Sequence, residues 1–414
     1  MASRLPSNPS INRLRTDARR LQRAVTTGDP DSEELVRRHH PRPDIALANE
    51  RFALHDAQLI VARSYGFSGW PALVHYLELA ADISVDPGAL DEHTLDAADR
   101  FCSWASLRYN ETDAPPRWDA AATLLAAEPD LVDRHIWAAA SAADPAALAR
   151  HLANRAALAH TGGGPFGWVP LMYLCYSRAP LGRTAGDVLA AATLLLDAGA
   201  DPNAGYLWCG LSTPFTVLTG VFGEGEQGPG RQPRHPFAPE LAALLLDRGA
   251  HPADQQTLYN RMFRAEDSHL ELLFARGLTD AGPSPWELRL GEAMETRDEM
   301  WRRQVGWAAE HGFTDRLDLL ARHGIDVSGV DVVTPAFPAD PNAFDDEGAT
   351  ALHQAAWAGD LELIRRLLDA GADTTITDRR FGSTPLAWAE HAYQTEAADA
   401  LRQRAPRQRS SFHR

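Results

Sequence analysis

Lysine is absent from this 414-residue chain: all 40 basic residues are arginine. That excludes the lysine of a phosphate-binding P-loop, a pyridoxal Schiff base and any lysine nucleophile. Cysteine is scarce. Cys102, Cys175 and Cys209 form no CxxC pair, so there is neither a disulfide framework nor a zinc spacing, and the expected setting is reducing and cytoplasmic. Long hydrophobic runs are missing too. No stretch of about 18 apolar residues occurs, which predicts no membrane span. The first twenty residues are polar and basic without an apolar core, and they do not read as a secretory signal. Catalytic signatures are also lacking: no GxSxG, no HExxH, no glycine-rich phosphate loop after a strand and no paired-carboxylate motif. No metal or cofactor is expected, and the balance leans away from an enzyme. His39-His40 has no nearby cysteine or spaced acid that would make it a metal site.

Charge is unevenly spread. The formal net charge is −16, yet residues 1–43 hold nine arginines against five acids, and residues 401–414 hold five arginines and no acid. The body between them therefore carries about −25. So acidic a body repels a phosphate backbone, and nucleic-acid binding is disfavoured except through the basic ends. The simpler reading of those ends is a solvated helix face and a frayed tail at 406–414.

Helical periodicity organises the N-terminal part. Leu14, Ala18, Leu21 and Val25 recur at helical spacing, and Gly28-Asp29-Pro30 stops that helix. Further helices are expected through Glu34–His40, from Phe52 onward, and after Trp70-Pro71. Residues 10–80 thus read as a helical module and 82–94 as a linker. Beyond them, apolar helical segments recur, each closed by a glycine: Gly199, Gly249, Gly277, Gly324 and Gly371. Their spacings of 50, 28, 47 and 47 are irregular, which marks insertions. Two insertions, 177–188 and 220–239, fall at the same place within a repeat, and a third covers 330–344. The second holds five glycines and four prolines in twenty residues, so a loop is expected there.

Residues 348–386 read GATALHQAAWAGDLELIRRLLDAGADTTITDRRFGSTPL. Thr350–Ala355 matches the phrase T-P-L-H-x-A apart from Ala351, and Thr384-Pro385-Leu386 restarts it 34 positions later. The chain therefore resembles an ankyrin-repeat protein, whose period is about 33. The alanine and arginine bias suggests a bacterial, GC-rich and actinobacterial-like origin. The resemblance implies an all-α solenoid of helix-turn-helix units over 95–405, degenerate in places, with 10–80 as an N-terminal cap that shields the first repeat. It also implies structural roles for Thr350, His353, Gly371, Thr384 and Pro385.

Registering the inner helices on that phrase aligns Trp357 with Tyr176, Gly220 and His391, and less securely with Glu310 and Ser141. In ankyrin proteins this position tends to face the concave groove. A groove lined by Tyr176, Trp357, His391, Trp168, Tyr173, Trp208 and Arg178 would suit a protein partner with a neutral or basic surface. The expected function is a binding scaffold. A second reading rests on residues 166–222, which hold eight aromatics in 57 residues. They could line a pocket for a small aromatic or apolar molecule, lidded by 220–239, with Tyr176, His235 and Glu224 as acid–base groups. Enclosure of a cavity by these aromatics, or their packing into a core, separates the two readings.

Overall fold

The amphipathic stripe of the first segment folds as read. In the computed structural model, helix α1 (Ile11–Thr26) buries Leu14, Ala18, Leu21 and Val25 on one face. Asp29 accepts the Ser32 N–H at 3.0 Å and so caps α2 (Pro30–His39). Helices α3 (Pro43–Leu47), α4 (Leu54–Ser64) and α5 (Trp70–Ile83) complete this module. The structure describes residue 5 and residues 9–48, 52–333 and 337–404. The basic tail expected at 406–414 lies outside the described residues, as do residues 334–336 of the third insertion.

The module does not cap the first repeat in the expected way. Its apolar cluster closes on Leu207, Trp286, Leu290 and Met294, which come from far along the chain. The Tyr76 hydroxyl donates to the Gly210 carbonyl at 3.0 Å and seals the same junction. The expected linker holds a strand, β1 (Ser84–Val85), which pairs in parallel with β2 (Gly205–Trp208). Strand β2 turns back antiparallel onto β3 (Pro214–Thr216), with Tyr206 opposite Phe215. The fold is mostly helical, and this small sheet is what the helical periodicity did not announce.

Helices α6 (Ala97–Ala105), α7 (Pro115–Ala127) and the single turn α8 (Leu131–Arg134) precede a run of helix pairs. Inner and outer helices then alternate. The pairs are α9 (Ile136–Ser141) with α10 (Pro145–Leu152), and α11 (Pro170–Tyr176) with α12 (Ala185–Asp197). Next comes α13 (Val217–Phe222), followed by the short α14 (Gly228–Arg231) within the insertion and by the outer helix α15 (Ala238–Asp247). The eroded stretch after 250 still forms helices: α16 (Gln255–Arg261), α17 (Ser268–Ala275) and α18 (Pro285–Leu290). Helices α19 (Arg297–Glu310) and α20 (Thr314–Arg322) follow. The last two pairs are α21 (Ala351–Ala358) with α22 (Leu361–Asp369) and α23 (Pro385–His391) with α24 (Thr395–Arg404).

Burial divides these elements. One large apolar cluster runs from Ala98 to Leu320. The last two pairs have their own, built on Leu352, Ile364, Leu367, Ala389 and Leu401. Gly371, at φ +94°, ends α22 in the left-handed turn expected of it, and its carbonyl accepts from Asn342 Nδ2 at 3.1 Å.

Candidate functional site

The aromatics of 166–222 pack on one another. Trp168 lies 5.4 Å from Tyr173, 5.0 Å from Tyr176 and 4.9 Å from Tyr206, ring centre to ring centre. Tyr109, from outside the segment, meets Phe215 edge-on at 4.9 Å. Each buried hydroxyl with a partner uses it locally: Tyr176 donates to the Thr216 carbonyl at 2.9 Å, and Tyr173 to the Gly163 carbonyl at 2.9 Å. These rings pack as core rather than as the expected lining of a small-molecule pocket.

Tyr176 cannot line an open groove, because it is 0% exposed. Its ring is pressed against Gly220, where an added Cβ would come within 2.3 Å. The segment between α6 and α7 roofs it: Leu107 donates to the Tyr176 carbonyl at 2.8 Å, and Arg178 to the Ala105 carbonyl at 2.7 Å. Trp168, Tyr173 and Arg178 are buried as well, and Trp208 is half-buried with its Nε1 donating to the Arg108 carbonyl at 3.0 Å. The groove expected from these residues is therefore filled by the protein itself.

Nor do Tyr176, His235 and Glu224 make an acid–base set. Burial pushes the Tyr176 hydroxyl well above its usual range. Burial, and then the charge of Arg178, pushes His235 down to about 3. A catalytic acid or base works best with a pKa near the operating pH, and these two are driven away from it in opposite directions. Glu224 is buried against Arg261 and Arg234. Arg178 is a tether: Nε donates to the Pro233 carbonyl at 2.7 Å, Nη1 to Cys175 and Ser177, and Nη2 to Gly220.

Cap positions correct the repeat register. The residue before the inner helix is Val169, Thr216, Thr350 and Thr384 in four repeats. Counting seven onward gives Tyr176, Gly223, Trp357 and His391, so Gly223 replaces Gly220 in the alignment. Thr213-Pro214 imitates the phrase, but Pro214–Thr216 is strand β3 and Thr216 is the cap. His135 caps α9, which moves that repeat's position from Ser141 to Ala142. Asp254 caps α16, which puts Arg261 there. Sequence reading missed Arg261 because its repeat carries no phrase at all. The cap of α16 also reaches back, since the Asp254 carboxylate accepts from Thr216 Oγ1 and, at 3.1 Å, from Thr219 Oγ1.

The last two pairs are different. Thr350 and His353 form a reciprocal cap, and His353 Nε2 lies 2.9 Å from the Ser383 carbonyl of the next repeat. Thr384 caps α23 through the Ala387 N–H at 3.3 Å, with Pro385 at the first helical position. Before it, Asp378 draws a turn tight. Its carboxylate accepts the N–H groups of Arg380 at 2.8 Å, Phe381 at 2.6 Å and Ser383 at 2.9 Å, and Trp388 Nε1 at 3.0 Å. Burial alone would raise this acid, but those four donors outweigh it and hold the carboxyl at about 2.

That turn holds out Phe381, which is 65% exposed. Phe381 lies 6.4 Å from Trp388, Trp388 lies 6.0 Å from Trp357, and Trp357 stacks on His391 at 5.9 Å. Both tryptophans are half-buried and His391 is exposed. A continuous aromatic strip therefore crosses two repeats on rigid supports. Trp357 and His391 were read from the sequence; Phe381 and Trp388 were not, although both sit next to the restarted phrase.

Elsewhere, Asp96, Asp99 and His135 lie close enough together to suggest a cation site. Nδ1 of His135 accepts the Ala138 N–H at 3.1 Å, so the neutral ring carries its proton on Nε2, which faces Asp99 at 3.1 Å. That nitrogen has no lone pair to give, and the ring serves as the cap of α9. An open cavity of about 440 Å³ adjoins it, but Arg134 and Arg150 on its rim are paired with Glu128 and Asp133.

Short capped inner helices, most of them followed by an outer helix closed by glycine, make the chain mostly helical. Residues 336–389 match the family model of ankyrin repeats (many copies), which makes this an ankyrin-repeat-containing chain over that stretch. No curated protein matches it. No described helix is long and apolar enough to cross a membrane.

Proposed function

We propose that the chain is a protein-binding scaffold whose working face is the aromatic strip of the last two repeats. The observation that carries this reading is the strip itself: Phe381, Trp388, Trp357 and His391 in ring contact, exposed or half-exposed, on turns locked by Asp378 and His353. Rigid aromatics lose little conformational freedom on binding and dominate interface energetics. Arg379 and Arg380 flank Phe381, so the local surface is less acidic than the body as a whole.

The test is capture from host extract with wild type and a Phe381→Ala, Trp357→Ala variant shown to be folded by circular dichroism. A protein held by wild type, lost by the variant and then shown to bind wild type as purified components supports the reading. Equal capture by both refutes it.

A further inference from the structure

Among the described residues, the last two repeats share no apolar cluster with the main body. What grips them is the glycine-rich insertion after α13. Arg231 Nε donates to the His391 carbonyl at 3.0 Å, and its Nη2 lies 3.4 Å from His391 Nε2. The same guanidinium sits 5.2 Å over the Tyr393 ring. Its Nη1 reaches back to the carbonyls of Glu111 at 3.1 Å and Asp113 at 3.4 Å. One repeat earlier, Arg264 Nη1 donates to the Ala358 carbonyl at 2.6 Å.

Ala358 and His391 are the last residues of the inner helices α21 and α23, one register position apart. Carbonyls at helix C-termini carry partial negative charge and lack intrahelical partners, which suits a guanidinium with its planar fork of donors. The approach also demands glycine: a Cβ at Gly230 would stand 2.1 Å from the Ala392 carbonyl oxygen. The surface thus selects two things together, an arginine and a bare backbone beside it.

We propose that this turn edge of the last two repeats is an arginine-reading surface, occupied here by the chain's own Gly230-Arg231, and that the protein partner displaces this loop with an arginine in a glycine-flanked segment of its own. This rests on the last two repeats being the binding face, and it adds the partner's chemistry and a built-in competitor. An interface of guanidinium-to-carbonyl bonds without a shared apolar core is of the kind that opens and closes.

The probe is a labelled peptide with the sequence of residues 225–235, GEQGPGRQPRH. It is titrated by fluorescence anisotropy against the full chain, wild type and Gly230→Leu. Wild type, with its site filled, should bind weakly. Gly230→Leu, which cannot seat its own loop, should bind at least about ten-fold tighter, and a peptide with alanine in place of the Arg231 equivalent should bind neither protein. Arg231→Ala in the full chain opens the same site without adding bulk, and serves if Gly230→Leu does not fold. Equal binding of the peptide to wild type and both opened variants, or equal binding of the alanine peptide, overturns the proposal. A failure here together with a partner lost in the strip variant would refute arginine reading while leaving the scaffold reading intact.

Discussion

Arg178 should behave as the tether of the insertion rather than as a ligand-binding group. Its guanidinium is almost wholly buried and serves four carbonyls, those of Cys175, Ser177, Gly220 and Pro233. Burial lowers its pKa to about 10, which still leaves it cationic at neutral pH. Replacing it with methionine fills most of the volume but removes every donor. Hydrogen bonds to a charged group are each worth about 1.5–3 kcal/mol, but here one charge is shared among four acceptors. Two of those acceptors, on Gly220 and Pro233, belong to the insertion and its root, and both would be left buried. A total loss of about 3–5 kcal/mol follows, in line with other broken buried charge networks. Arg178→Lys keeps the charge and part of the bonding, so it should lose about half as much. Urea unfolding followed by tryptophan fluorescence reads the stability, and hydrogen exchange over 220–239 reads the tether. Arg178→Met within about 1 kcal/mol of wild type, with unchanged exchange in the insertion, would show that Arg178 does not tether it.

Phe381→Ala should leave stability within about 0.5 kcal/mol, because that ring is mostly in solvent, and thermal melting would show a larger role if there were one. His353→Ala removes both the reciprocal cap with Thr350 and the bond to Ser383, so the last two repeats should lose about 2–3 kcal/mol, seen as earlier unfolding of the Trp357 and Trp388 signal in urea. Burial and then the charge of Arg231 lower the pKa of His391 from its usual 6.5. The docked repeats therefore bind fewer protons than the undocked ones, so docking is intact above about pH 6.5 and weakens as pH falls below it. Hydrogen exchange at 223–236 and 385–394 should rise on acidification through that range, and a His391→Gln variant should lose the pH dependence.

Legibility followed the range of the interactions. Leu14, Ala18, Leu21 and Val25 announced α1 because a stripe at helical spacing needs only its own helix to be recognised. Thr350, His353 and Thr384-Pro385 announced the last two repeats for the same reason, since a cap bonds to residues three positions away. The register of the middle repeat failed at Thr213-Pro214, where strand pairing with Gly205–Leu207 claimed residues that the phrase had assigned to a helix start. Tyr176 failed differently. Its place in the repeat was read correctly, but its exposure depended on Leu107 and Arg178, which bring the segment after α6 across it.

From the sequence alone came the helical class, the repeat phrase and the closing glycines, whereas 220–239, expected as a loop, carries the short helix α14. Those three are encoded in contacts between residues a few positions apart or in the backbone freedom of glycine and proline. Only the tertiary structure decided which aromatics were core and which were surface. It also decided that β1 would pair with a strand about 120 residues onward, and that Arg231 would reach His391 across 160 positions. Burial and long-range pairing are properties of what arrives from elsewhere in the chain, and no local pattern records that arrival.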